Sequence, residues 1–287
     1  MYSQPITHLH RTAFVLAIDC SGSMRERIVF NGMPMSKAEA VALVTDYTID
    51  ELIERARRGG VCRNYYDIAV VGYSGDGVRS MLPAPHEDFA VAVDALSRAM
   101  PPLRRMEFDQ RLPDGSHAIV GFDLHRWIEP AAGGLTPMYE ALLTVRDIVD
   151  EWCSRAENAE SFPPVVFNIT DGESSDGDYD DLCDMASQIR RTGTADGETL
   201  LINIHLSTDS SRRSILFPSS RSECGEDRYS QLLYDMSSTM PEPFVEGIRS
   251  LTGALGMPPM RGMAYNATAA QLLSVLDIGS RSVNNIY

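Results

Sequence analysis

Four short apolar runs, separated by segments with helical periodicity, constrain the fold of this chain most strongly. They are continuous rather than alternating, and they cover residues 13–18, 67–73, 165–169 and 200–206. Strands covered by helices on both faces have this continuous pattern. Strands that alternate with helices join in a parallel order. The sequence therefore predicts an α/β fold, with a Rossmann-like, doubly wound, mostly parallel sheet between two helical layers.

The intervening segments carry helix signals. Ser36 and Glu39 have the spacing of a capping box, which predicts a helix from there to about Arg58 with a stop at the following glycines. The segment after Thr136 has the clearest helical periodicity, in Met138, Ala141, Leu142, Val145, Ile148, Val149 and Trp152. Two further helices are predicted around Leu182 and after the cap at Thr268.

The organisation of the chain favours a single domain over residues 1–287, because no repeat or linker divides it. Two segments are predicted to be elaborations of this domain. Residues 101–133 have the pattern of a hairpin, with its turn at Pro113-Asp114-Gly115. Residues 207–226 are rich in Ser and Arg and are predicted to form a long surface loop.

Charge and composition exclude several classes of function. The net charge of −15 disfavours nucleic acid and anionic membrane surfaces as partners. We find no apolar run of the roughly 18–20 residues that span a bilayer, and the first eleven residues lack the apolar core of a signal peptide. Five scattered cysteines without a C-x-x-C pair are typical of a reducing compartment. We therefore expect a cytoplasmic protein.

Oxygen-bearing side chains lie at three points where the predicted elements meet. Asp19, Ser21 and Ser23 follow the first strand, Asp171 follows the third, and Thr136 precedes the strongest helix. In open α/β sheets, ligands bind beyond the carboxyl ends of the strands. All-oxygen ligand sets suit Mg²⁺, with Mn²⁺ or Ca²⁺ also possible. The sequence thus predicts one cation bound by these five residues.

Each of these features also has a purely structural interpretation. Thr136 before Pro137 is an ordinary start of a helix, Asp171-Gly172 is a common turn, and Ser21 to Ser23 could be a polar loop. The acidic run after Asp171 could hold a second cation, or could be a solvated loop with acids at a helix N-terminus.

The first loop also permits a phosphatase-type interpretation, since the Cys20 and Arg25 side chains could both bind a phosphate. Their C-x₄-R spacing is one residue short of the C-x₅-R cradle. Cys20 is instead expected to fill a small buried position.

Taken together, Asp19-Cys20-Ser21-Gly22-Ser23, Thr136 and Asp171-Gly172 resemble the metal-ion-dependent adhesion site of the von Willebrand factor A (VWA) family. The resemblance covers most of the chain and departs from the family at none of the five ligand positions. Residues 134–138 and 170–173 are similar to bacterial intracellular VWA proteins, including the tellurium-resistance-associated group.

This resemblance implies a Mg²⁺-dependent protein-interaction module without catalysis of its own. A protein partner would supply an Asp or Glu to the open coordination position. Members of this group are often encoded beside kinases, phosphatases or AAA+ ATPases, which implies a role as adaptor or regulator.

The alternative is a metal-dependent phosphoryl hydrolase that uses Asp19 or Asp171. It is disfavoured because no D-x-D pattern follows the first strand and no histidine lies near the three loops in sequence.

Overall fold

The computed structural model describes residues 1–30, 32–83, 89–111, 117–208, 213–253 and 258–280. Its helices are α1 (Lys37–Ala56), α2 (Val93–Arg98), α3 (Met138–Ser154), α4 (Tyr179–Arg191), α5 (Arg228–Met236), α6 (Val245–Thr252) and α7 (Ala269–Ser280). Its strands are β1 (Thr12–Asp19), β2 (Arg27–Phe30), β3 (Met33–Ser36), β4 (Arg57–Arg58), β5 (Val61–Cys62), β6 (Tyr66–Ser74), β7 (Gly77–Ser80), β8 (Val91–Ala92), β9 (Leu103–Arg111), β10 (His117–His125), β11 (Val165–Thr170), β12 (Gly193–Thr194), β13 (Gly197–Glu198), β14 (Leu200–Leu206), β15 (Ile215–Leu216) and β16 (Met263–Ala267). In this part of the chain, no helix combines the length and apolar character needed to cross a membrane.

The central sheet has the order β15-β16-β14-β11-β1-β6-β7, with β8 also paired to β6. Strands β16, β14, β11, β1 and β6 are parallel, whereas β15, β7 and β8 are antiparallel additions at the two sides. If β1, β6, β7, β11, β14 and β16 are counted in chain order, their spatial order is 3-2-1-4-5-6, the doubly wound arrangement. The predicted α/β fold is confirmed.

Helices cover both faces of this sheet, which explains the continuous apolar runs. All eight residues of β1 are buried. Its Phe14 and Leu16 pack into the core beneath α1 and α7. The alternate residues Val15 and Ala17 pack into a second core beneath α3, α4 and α5. Successive strand residues point to opposite faces, so both sets must be apolar when both faces are covered.

Helix α1 begins as predicted and ends earlier. The Ser36 hydroxyl accepts the Glu39 amide at 3.1 Å, and the Glu39 carboxylate accepts the Ser36 amide at 2.7 Å, so the capping box is confirmed. The helix ends at Ala56, and the predicted end at Arg58 was wrong. Strands β4 and β5 form a tight hairpin there, and its two glycines adopt φ of +61° and +81°. Such glycines serve as a hairpin turn rather than a helix cap.

The two segments predicted to be elaborations contain regular structure. Strands β9 and β10 form an antiparallel pair within residues 101–133, while the turn predicted at 113–115 lies outside the described residues. Within 207–226, β15 pairs antiparallel with β16, and a 3₁₀ helix covers Arg221–Cys224. Residues 209–212 lie outside the description.

Two carboxylates of α1 attach the base of the β9–β10 hairpin to the domain. Asp46 accepts the backbone amides of Trp127 and Ile128 at 2.9 and 3.0 Å. Asp50 accepts the Trp127 indole N–H at 2.8 Å and the His125 amide at 3.1 Å. These bonds position the chain between the hairpin and the loop that leads into α3.

Candidate metal centre

The candidate site lies where the strand order reverses, between β1 and β11. Asp19 is the last residue of β1, and Asp171 follows directly after β11. The two strands are parallel neighbours, with Ile18 opposite Ile169, so their carboxyl ends reach the same edge of the sheet. This is the position at which doubly wound folds bind their ligands.

Four of the five predicted ligands form one hydrogen-bonded chain. The Ser21 amide donates to Asp19 Oδ1 at 2.7 Å. The Ser21 and Ser23 hydroxyl oxygens are 3.0 Å apart, and Ser23 donates to Asp171 Oδ1 at 2.6 Å. Thr170 donates to the other oxygen of Asp19 at 2.9 Å. The two loops are therefore assembled through the groups that would bind a cation.

Thr136 joins the site through its loop rather than through a side-chain contact with the other ligands. The Gly133 amide donates to the Cys20 carbonyl at 2.7 Å, and the Gly22 amide donates to the Gly134 carbonyl at 3.0 Å. Thr136 is buried, and within the described ranges no hydrogen bond links its hydroxyl to the other four predicted ligands. The structure therefore places Thr136 in the adjoining loop without showing its hydroxyl engaged.

Glycine is required where this loop meets the strand edge. Gly134 has φ of +72°, and a Cβ there would lie 2.7 Å from the Gly75 amide nitrogen. A side chain would have to push two backbones apart in addition to adopting a left-handed conformation. The sequence Gly133-Gly134 thus permits the close packing of this loop.

The donor set fits Mg²⁺. The two serine oxygens are 3.0 Å apart and hydrogen-bond to each other, a separation also close to the roughly 2.9 Å between neighbouring ligands at about 2.0–2.1 Å from one octahedral ion. Throughout the described ranges, no three His, Cys, Asp or Glu side chains form a metal-binding group. A cation here would therefore depend on hydroxyl ligands beside two carboxylates, as hard divalent cations allow.

The electrostatics of Asp19 favour a nearby cation. Asp19 is fully buried, and this burial raises its pKa above the ordinary value of 3.8 although Ser21 and Thr170 hydrogen-bond to it. The negative charge of Asp171 raises the pKa of Asp19 further. A divalent cation between the two carboxylates would offset both effects.

Lys37 is a residue of the candidate site that the sequence analysis did not single out. Its ammonium nitrogen lies 2.9 Å from Asp171 Oδ2 and 2.7 Å from Glu26 Oε2. The Lys37 side chain is 4% exposed and that of Asp171 is 0% exposed. Lys37 stands inside the Ser36–Glu39 capping box, so its sequence signal was that of a helix start. Only the packing of α1 against the loop that follows β1 shows that the Lys37 side chain reaches Asp171.

Two aromatic residues from distant parts of the chain also reach the site. The Tyr229 hydroxyl donates to the Gly172 carbonyl. His205, at the end of β14, stacks on Tyr265 with ring centroids 4.5 Å apart. Burial, reinforced by the charge of Lys37, lowers the pKa of His205 to about 4. A neutral histidine thus lies beside the loops in space, although none is near them in sequence.

The contacts of these residues bear on two of the alternative interpretations, the phosphate cradle and the acidic run. Burial raises the pKa of the Cys20 thiol to about 11. The Arg25 side chain donates to the Ala132 carbonyl at 3.0 Å, so these two groups do not form a phosphate cradle. In the acidic run, Asp176 accepts two amides at the start of α3, and Asp178 accepts two at the start of α4. These acids cap helices.

Comparison with known proteins identifies structural neighbours only. No protein-family profile and no curated protein sequence matches the chain. The chain is similar to the vWF domain of the type V pili tip protein Mfa5 from Porphyromonas gingivalis, with a TM-score of 0.43, 10% identity and 93% of each chain covered. It is also similar to an uncharacterized membrane spanning protein from Vibrio fischeri, with a TM-score of 0.27 and 14% identity over 68% of this chain and 71% of the other. Arguments about function therefore rest on the site itself.

Proposed function

We propose that the chain is a VWA-type interaction domain that binds Mg²⁺ through Asp19, Ser21, Ser23, Thr136 and Asp171. In this proposal, an Asp or Glu of a protein partner takes the open coordination position. The observation that carries the proposal is the hydrogen-bonded chain from Asp19 to Asp171 at the switch point of the sheet. Mn²⁺ or Ca²⁺ could replace Mg²⁺ in an all-oxygen shell.

Each residue has a distinct part in this function. When bound, the cation supplies the electrophile that attracts a carboxylate. Ser21 and Ser23 provide neutral oxygens, so they add no negative charge to that of the two carboxylates and the cation stays electrophilic. Asp19 orients the first loop through the Ser21 amide, and Asp171 orients Ser23. A partner's acid is thereby favoured over a neutral side chain.

In this proposal the partner is a protein rather than a nucleic acid or a membrane. The net charge of −15 repels phosphate backbones and anionic lipid, whereas a loaded metal centre supplies a local positive site. Following the resemblance of the loops to bacterial intracellular VWA proteins, we place the chain in the cytoplasm as an adaptor or regulator of a kinase, phosphatase or AAA+ ATPase system.

Ser23 is the best residue for testing the metal. Asp19 is less suitable, because its removal would also leave the buried Ser21 amide without its hydrogen-bond acceptor. Ser23 is exposed, so in Ser23→Ala water can replace the hydrogen bond to Asp171 Oδ1 that is lost together with the ligand. We expect Mg²⁺ affinity, measured by isothermal titration calorimetry, to fall at least about tenfold. Ser23 belongs to the 3₁₀ helix Gly22–Arg25, and Ser222→Ala, at an exposed serine of the 3₁₀ helix Arg221–Cys224, is the matched control.

Partner binding is tested with the same pair of variants. In affinity purification from the native host in Mg²⁺, the wild type and Ser222→Ala should retain partner proteins, and EDTA should release them. Ser23→Ala should not retain these partners. Identical retention by all three proteins, with and without EDTA, would show that the metal is not the anchor.

A phosphoryl hydrolase is the second candidate, and the neutral His205 beside Asp171 is the observation in its favour. The test is hydrolysis of para-nitrophenyl phosphate by the purified protein in Mg²⁺. We expect no turnover above the rate without protein. Metal-dependent turnover that is lost in both His205→Gln and Asp171→Asn would replace the interaction proposal with an enzymatic one.

A further inference from the structure

Lysine is used once in this chain. Of its 25 basic Lys and Arg residues, Lys37 is a lysine and all the others are arginines. An arginine carries a wide planar guanidinium, whereas lysine ends in a compact ammonium with three donors. The only lysine is also the cation that lies buried against a predicted metal ligand, 2.9 Å from Asp171 Oδ2. The site therefore contains a positive charge that belongs to the protein.

The position of this ammonium is fixed from two sides. Lys37 is the first residue of α1, and the capping box holds its backbone at the helix start. The Lys37 amide donates to the Glu26 carbonyl at 2.9 Å, while its ammonium bonds the Glu26 carboxylate at 2.7 Å. The Glu26 side chain is 55% exposed, so water screens its charge. The fully buried Asp171 is the stronger electrostatic partner.

Asp171 needs this partner because its side chain is out of contact with water. A lone buried carboxylate is strongly destabilising, and the Asp19 carboxylate in the neighbouring loop adds repulsion. Asp171 Oδ1 is bonded by Ser23 and Oδ2 by Lys37, so both oxygens are satisfied by protein groups. The loops can therefore assemble before any cation arrives.

We propose that Lys37 is the resident counter-charge of the metal centre, which stabilises the metal-free site and weakens its affinity for divalent cations. The part of this inference that concerns cation affinity rests on the proposed function. Two buried carboxylates with one ammonium leave a single net negative charge to attract the cation. After binding, the site has a net positive charge, which a partner's carboxylate neutralises. Lys37 thus weakens cation binding and strengthens the attraction of the loaded site for a partner's carboxylate.

The first experiment measures cation affinity with Mg²⁺ alone as the probe. Lys37→Met keeps the length and apolar stem of the side chain and removes its charge. Isothermal titration of the full chain should show Mg²⁺ binding about tenfold or more tighter in Lys37→Met than in the wild type. Arg27→Met removes one charge from the exposed β2 strand and serves as the control, with affinity within about threefold of the wild type.

The second experiment tests the counter-charge without metal. In EDTA, Lys37→Met should lower the urea midpoint of unfolding, because Asp171 is left unpaired. Adding Asp171→Asn to Lys37→Met should restore at least half of that loss, since the double variant no longer has an unpaired charge at position 171. If the double variant is as unstable as Lys37→Met, or neither variant folds, then Lys37 contributes packing rather than charge and the proposal is wrong.

The outcomes separate this inference from the proposed function. Mg²⁺ binding to Lys37→Met but not to the wild type would support the counter-charge and refute a Mg²⁺-dependent module. Equal Mg²⁺ affinities of the two proteins would refute the counter-charge and leave the module intact. If neither protein binds Mg²⁺, both are refuted.

Discussion

The buried Asp46 of helix α1 provides the most quantitative prediction. Its side chain accepts two backbone amides from the segment after the β9–β10 hairpin. Burial raises the pKa of Asp46 from the ordinary 3.8 to about 7, because the amides of Ile128 and Trp127 only partly offset the loss of water and Asp50 adds repulsion. The folded state therefore binds a proton here that the unfolded state has already released.

The sign and size of the effect follow from this pKa. A carboxyl group with a raised folded pKa contributes its full stability below pH 4, and that contribution is lost as the pH rises to about 7. Each pH unit in this window costs about 1.4 kcal/mol, which gives about 4 kcal/mol in total as an upper bound. Asp46→Asn keeps an oxygen acceptor for both amides and carries no charge. It should match the wild type near pH 4 and be more stable by up to about 4 kcal/mol at pH 8.

Urea unfolding of the wild type and Asp46→Asn at half-unit steps from pH 4 to pH 8 measures this difference directly. Asp184→Asn, the same change at an exposed position of α4, should give a curve parallel to that of the wild type. The reasoning is refuted if the Asp46→Asn curve is also parallel to the wild-type curve, because Asp46 would then be ionised in the folded state throughout.

Three further predictions concern other parts of the structure. Trp152→Phe removes the indole hydrogen bond to Asp67 at 2.8 Å and should cost about 1.5–3 kcal/mol of unfolding free energy in urea denaturation; an unchanged midpoint would contradict this. Gly134→Ala should destabilise the loop by about 1–3 kcal/mol and weaken Mg²⁺ binding in the titration, which wild-type values would disprove. Because burial raises the pKa of Cys20 to about 11, iodoacetamide at pH 8 should leave this thiol unmodified in the native protein, as peptide mass spectrometry can verify; rapid alkylation would argue against the buried position.

The main layers of the fold could be predicted because their signals are local. Continuous apolar runs identified β1, β6, β11 and β14, and capping boxes marked the starts of α1 and α7. The shorter elements were less predictable. The hairpins β2–β3 and β4–β5 have too few residues for a periodic pattern, so the tertiary context determines them. Helix α5 does have apolar residues at i, i+3, i+4 and i+7, in Tyr229, Leu232, Leu233 and Met236, a signal that the sequence analysis overlooked. The end of α1 was mispredicted because a glycine pair suits a hairpin turn as well as a helix stop.

The sequence alone determined the chemistry of the candidate centre. Two carboxylates and two hydroxyls after predicted strands, with the Thr136 hydroxyl before a predicted helix, already indicate hard-cation ligands, because these positions and side-chain types are properties of the chain. Only the tertiary structure decided what surrounds these groups. Lys37 and His205 reach Asp171 from residues 134 positions before it and 34 positions after it. A contact of this kind depends on how helices and strands pack against one another, which no local pattern of residues encodes.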